Sequence, residues 1–295
     1  MLGVVNLDKP VGPTSHDMVG LLRRLTGTRR IGHAGTLDPL ASGVLPILVG
    51  PATRFSEELT GGRKRYEAVI RLGASSLTDD AEGPIEPGPA PVPADAAIVE
   101  ALERFVGSFE QRPPAFSSRK LAGRRAHRAA RAGEPMDLPP RRVTVDAIDV
   151  LRIQRDAHAV DLRIDLRCGP GTYVRSIARD LGNRLGCGGH LAELRRTEAA
   201  GLRVDDAVTP DRLEALAGSG RLTEALLPIA AVLPLPHLEL DADVAWRFRH
   251  GATVGVHGAP DGRLAVFAAG ALLGVGRAES GELSPEKVLP VEADA

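Results

Sequence analysis

The chain has 295 residues, with 37 Lys and Arg against 38 Asp and Glu and a net charge of −1. Apolar residues make up 43% and charged residues 25%. These proportions exclude a wholly disordered chain and a uniformly basic nucleic-acid binder, so any affinity for RNA or DNA has to be local. The length allows about two domains. Two cysteines, Cys168 and Cys187, cannot form a disulfide framework or a metal set and read as reduced thiols of a cytoplasmic protein. Residues 1–10 lack the apolar core of a signal peptide, and the most apolar stretch, 225–236, holds three prolines and is too short to cross a membrane.

In chain order, Ser15 reads as the cap of a helix that places Met18, Val19, Leu22 and Leu25 on one face and stops at Gly27. Ser15, His16 and Asp17 are adjacent and so cannot face one another as a hydrolase triad. The segment 32–45, GHAGTLDPLASGVL, combines three glycines that allow close approach of a ligand with Asp38 before Pro39. On pattern alone Asp38 is a turn residue holding its own backbone, the commoner fate of Asp before Pro. Tyr66, Ala68, Ile70 and Leu72 alternate as on a strand, which makes Tyr66 a core tyrosine unless other signals intervene. Asp79, Asp80 and Glu82 fall in a loop of low apolar content and read as solvated. Residues 83–93 are a Pro-Gly loop, and 94–106 a helix with Ile98, Leu102, Phe105 and Val106 inward and Gly107 as its stop.

Between Arg112 and Arg142 nine basic residues stand against Glu134 and Asp137, a local charge of +7. Such a run is either a solvated face or a basic finger for phosphates. Residues 158–168 give the clearest strand, with Val160, Leu162, Ile164, Leu166 and Cys168 on one side and Asp161, Arg163, Asp165 and Arg167 on the other. Residues 174–185 then form a helix with Ile177, Leu181 and Leu185 in register, ending at Gly186. Residues 228–236 read as a linker, followed by short β-like pieces divided by glycine. Strands and helices mix without steady βα alternation, which predicts an α+β fold.

The 32–45 segment resembles the catalytic motif of the TruB-type tRNA pseudouridine-55 synthases. Further pieces match that family in the same order: Leu7-Asp8-Lys9-Pro10-Val11-Gly12-Pro13-Thr14-Ser15, Lys64-Arg65-Tyr66, Gly171-Thr172-Tyr173-Val174-Arg175, and His190 with Leu194-Arg195-Arg196. The resemblance covers about residues 3–230, and the tail resembles, more weakly, a PUA-type RNA-binding domain. It implies a mixed sheet flanked by helices over 1–232, with the basic insertion at about 112–142, and a small mainly-β PUA-like domain over 236–291.

By that resemblance Asp38 is the catalytic aspartate, Tyr66 stacks on the target uracil and helps remove the C5 proton, and Arg175 pairs with the aspartate. His33, Tyr173 and Leu194 line the nucleotide site, and Lys9 lies in a motif that supports the pocket, with no chemical role of its own. Arg119, Lys120, Arg124, Arg125 and Arg141 of the finger are candidates for the RNA backbone. Phe116, Ser118 and His127 depart from the tyrosine, alanine and tyrosine usual in the family, which touches RNA grip rather than the reaction. A bidentate arginine would hold Asp38 and lower its pKa. Pseudouridine formation is an isomerisation without net redox change, so neither cofactor nor metal is expected. The implied partner is the T-arm of tRNA, bound by a monomer. Two other readings are an RNA-binding or folding module without catalysis, for which Asp38, Tyr66 and Arg175 together are superfluous, and a nucleoside hydrolase, which would release free uracil.

Overall fold

The computed structural model describes residues 1–290 other than Ser118, Ala122 and Pro135. Among the described residues a nine-stranded sheet organises the first part of the chain. Its main path runs Gly3–Lys9, Ala41–Val49, Gly189–Ala199, Lys64–Leu72, Val160–Cys168, Arg141–Arg155 and Gly107–Gln111. All neighbours on this path are antiparallel except Ala41–Val49 and Gly189–Ala199, which are parallel. The helices Ser15–Thr26, Asp95–Glu103 and Val174–Leu185 contribute Leu22, Ile98, Ile177 and Leu181 to one apolar cluster with Leu45, Ile70, Leu162 and Leu166 from the sheet.

Local chemistry accounts for the boundaries. The first helix begins at Ser15, but its cap is Thr14, not Ser15. Thr14 accepts from the Asp17 backbone at 3.1 Å and Asp17 accepts from the Thr14 backbone at 2.8 Å, a reciprocal box. Ser15 turns inward instead and bridges the backbone N–H and C=O of Leu37 at 2.8 and 2.9 Å, beside Asp38. The helix predicted to reach Val106 stops at Glu103, and Val106 is exposed while Phe105 is buried. The Tyr66 and Val160 strands and the Val174–Leu185 helix form as their patterns predict.

A second, five-stranded sheet holds His237–Glu239, Gly262–Ala268, Ala271–Glu279, Glu282–Val288 and Val254–Gly255 in that spatial order. The helix Ala242–Arg249, absent from the β-only reading of this region, covers one face through Ala245 and Phe248. The opposite face, with Ala265, Phe267 and Val275, shares a cluster with Val4, Phe55 and Leu59 of the first part. Residues 228–236 are not a loose linker: Ile229 and Leu233 are buried in that same cluster, and Leu227 exchanges backbone hydrogen bonds with Val4. The junction also carries Glu58, fully buried, bound by Lys287 at 2.8 Å and by Arg263. No described helix is long and apolar enough to cross a membrane.

Candidate active site

The 32–45 motif is a strand, a loop and the start of another strand, folded back on themselves. Ile31–His33 pairs with Ala41–Val49, and Asp38 lies on the connecting loop. Ser15 fixes Leu37 on one side, and the Gly12 N–H donates to the Pro39 carbonyl at 2.9 Å on the other. The strand beginning at Ala41 runs so close to its parallel neighbour that a Cβ on Gly43 would collide with the Arg196 backbone. Only glycine fits there, and its positive φ of 101° is one that other residues rarely adopt.

Asp38 opens into a cavity of about 430 Å³, of the size that small-molecule sites occupy. Tyr66, Arg175, His33, Tyr173 and Leu194 all line it, with Arg119 and Arg141 at its margin. The structure therefore brings together every residue that the resemblance placed at the nucleotide site. Arg175 Nη2 stands 2.9 Å from Asp38 Oδ2, with its side chain 5% exposed against 38% for the carboxylate. Arg175 occupies the first turn of Val174–Leu185, where the helix dipole disfavours a cation, and carboxylates offset that misfit.

Two expectations about this ion pair are corrected. The arginine is not bidentate on Asp38: its other terminal nitrogen, Nη1, lies 3.2 Å from Asp80, whose side chain is 3% exposed. The acidic cluster is accordingly solvated only at Glu82, which is exposed. Asp80 and Asp79 are buried, and Asp79 takes the Arg179 guanidinium at 2.8 Å. Nor does the arginine leave Asp38 below its ordinary pKa. Loss of water pushes the carboxyl up, Arg175 pulls it down, and Asp80 pushes it up again. Burial is the main reason for the second correction, and the sharing of one guanidinium between two carboxylates is the reason for the first and adds to the second.

The remaining guanidinium bonds go to backbone. Nη1 donates to the Thr78 carbonyl and Nη2 to the Phe116 carbonyl, each at 3.0 Å. Tyr173 is clamped by Gln111, whose amide accepts from its N–H at 2.8 Å and donates to its C=O at 3.0 Å. The Arg141 guanidinium carbon lies 5.7 Å from the Tyr173 ring centroid. Burial pushes the Tyr66 phenol up and the His33 imidazole down. Lys9, wholly buried, donates to the Pro10 and Pro13 carbonyls at 2.7 Å, and burial lowers its pKa to about 8.

Of the finger candidates, Arg119 and Arg141 reach the cavity and a second groove that continues past His33 and Thr60 to Arg142. Arg124 does not line either; it is exposed and paired with Glu134 at 2.7 Å. Lys120 and Arg125 lie on a small hairpin, Lys120–Leu121 with Arg124–Arg125, and their side chains are outside the described residues, as are that of His127 and all of Ser118. Sequence reasoning missed Asp80, Gln111, Lys64 and Arg196. For Lys64 and Arg196 a signal existed, since both stand in the matched motifs.

The class of protein is set by comparison with known families. Residues 23–174 match the family described as "TruB family pseudouridylate synthase (N terminal domain)", 175–234 the "tRNA pseudouridylate synthase B C-terminal domain", and 236–289 "Pseudouridine synthase II TruB, C-terminal". A protein named tRNA pseudouridine synthase B from Dechloromonas aromatica is 42% identical over 99% of this chain and 96% of its own length. Its namesake from Thermobifida fusca is 46% identical over 90% and 94%. Among solved structures, one titled "Crystal Structure of a Cbf5-Nop10-Gar1 Complex" aligns with a TM-score of 0.74 at 27% identity, covering 98% of this chain and 85% of that one. The fold is thus that of a pseudouridine synthase with a C-terminal β domain. The chain belongs to the TruB family of pseudouridylate synthases.

Proposed function

We propose that this enzyme isomerises uridine to pseudouridine at position 55 in the T-arm of tRNA, acting as a monomer on a nucleotide flipped out of its stack, with Asp38 as the reacting carboxylate. The tRNA substrate is supported by relatives that carry that activity in their names. The observation that carries the reading is the Asp38–Arg175 pair at 2.9 Å in a cavity that Tyr66 also lines.

The chemistry asks for little else. The N1–C1′ bond breaks, the uracil turns, and it is rejoined through C5. One ionised carboxylate suffices as nucleophile or base. Asp38 is held by a guanidinium and still exposed to the cavity, so it is available to the sugar or base. Tyr66 offers a flat ring for stacking, and Leu194 an apolar wall that limits the water able to divert the reaction to hydrolysis. Extruding the base costs about a few kcal/mol. Phosphate contacts from Arg119, Arg141 and Arg142 along the groove supply a compensating term. Neither a cofactor nor a metal enters this scheme, and turnover should survive a chelator.

A carbodiimide-based map of pseudouridine in tRNA incubated with the protein tests the reading. Modification at position 55 of the T-arm supports it, and modification elsewhere or release of free uracil refutes it. Asp38→Ala should abolish product and leave tRNA affinity within a few-fold; turnover like the wild type would remove Asp38 from its role.

A further inference from the structure

Among the described residues Arg196 is the largest fully buried side chain, 1% exposed, yet the hydrogen bonds it makes there go to carbonyls. Nε donates to Val44 at 2.7 Å and Nη2 to Gly35 at 3.0 Å, so the guanidinium ties together the two ends of the Asp38 loop. Among the described residues it has no carboxylate at ion-pair distance. A buried cation without a counter-charge is costly unless something nearby becomes negative. Arg196 lines the cavity and is the direct cross-strand partner of Tyr66, with the Tyr66 strand antiparallel beside it. Facing side chains in such a pair lie within reach of one another, and while burial pushes the Tyr66 phenol up, the Arg196 charge pulls it back down.

We propose that Arg196 is a positioning residue for the reaction, one that stabilises negative charge on the Tyr66 phenol oxygen while that oxygen takes the proton from C5 of the re-attached uracil. The inference rests on the role given to Tyr66 above. The step balances as follows. The phenol first gives its proton to water. The phenolate then takes the C5 proton, the C5–H electron pair returns to the ring, and N1 accepts a proton from water. Four charged or titratable groups bear on the phenol. Arg196 comes from one flanking strand, Cys168 from the other, Asp38 from its loop, and Lys64 from two residues away on the same strand. Burial and Asp38 oppose ionisation, and Arg196 favours it. Cys168, itself pushed up to about 11 by burial, stays a neutral thiol.

The chain has two tyrosines, Tyr66 and Tyr173, so a Tyr173→Phe protein reports Tyr66 alone by its tyrosinate absorbance. In that protein Arg196→Gln should move the Tyr66 midpoint up by at least about one pH unit, a tenfold fall in ionised fraction at a given pH. Arg196→Lys, which keeps the charge, should restore most of the difference. An unchanged midpoint would reduce Arg196 to a tie between loop ends and overturn the proposal. Should Arg196→Gln not fold, nitrogen-15 resonances of the arginines in the otherwise unaltered Tyr173→Phe protein decide the matter. One guanidinium should titrate with the Tyr66 midpoint and cease to do so after Tyr66→Phe; no such resonance would equally overturn it. If Tyr66→Phe is fully active while the Tyr173→Phe protein shows the coupled titration, the role of Tyr66 fails and the electrostatic pairing stands.

Discussion

Replacing Arg175 by lysine keeps the charge and removes the fork. A single ammonium cannot span from Asp38 to Asp80 while also reaching the Thr78 and Phe116 carbonyls. With Asp38 as the proposed reacting group, loss of its placement is worth about a hundredfold, and single-turnover rates of Arg175→Lys on tRNA should fall by at least that much. Lys64 gives a different kind of test. Its ammonium donates to the Thr60 and Gly62 carbonyls beside the cavity, and burial lowers its pKa from 10.5 to about 8. Between those values the unfolded chain holds more protons, so this group adds stability as pH rises from about 8 to about 10.5 and withholds it below about 8. Lys64→Met lacks the titration. Its advantage in urea unfolding over the wild type should shrink by on the order of 3 kcal/mol across that window; a constant difference would contradict the assignment.

The hairpin of Ala74–Ser76 and Ile85–Pro87 carries the loop with Asp79 and Asp80, and through them braces the helix that bears Arg175 and Arg179. Asp80→Asn leaves a buried guanidinium half neutralised, at about 3 kcal/mol of stability. Asp80 is not among the residues lining the cavity, so kcat should drop at least about tenfold with KM little changed; a variant altered in KM alone would place Asp80 in RNA binding instead. Whether an element could be read from sequence depended on how local its signal is. Val160–Cys168 alternates cleanly and Val174–Leu185 carries its own stop at Gly186. Gly189–Ala199 escaped because bulges between Leu191 and Glu193 and between Arg196 and Glu198 break its period. Ala41–Val49 is buried nearly throughout, so it has no polar face to alternate with. Asp80 read as solvent-exposed because its partner, Arg175, lies far along the chain and nothing near Asp80 announces it. Asp38, Tyr66 and Arg175 were legible only through their motifs; composition alone favoured a turn and a core residue.

The two sheets share one apolar cluster and a buried Glu58 held by Lys287 and Arg263. Separate domains on a flexible linker would unfold independently, whereas a shared core couples them. Calorimetry should therefore show a single transition, and Glu58→Ala, which takes the buried carboxylate from Lys287 and Arg263 and leaves them Glu57 and Glu286, should lower its midpoint. Two resolved transitions in the wild type would show that the seam is weak. Residue 58 belongs to the short helix Ser56–Thr60, whose last residue lines the cavity. The second sheet thus supports the rim of the site from behind.

The missing side chain at position 43 has a reach out of proportion to its size. One added methyl would wedge the Arg196 main chain outward, and Arg196 faces Tyr66 across the next strand. An alteration at a residue outside the cavity lining would shift the Tyr66 ring and slacken the loop that carries Asp38 together. Inactivity in such a protein, with its shape otherwise intact, would be an error of alignment rather than of chemistry.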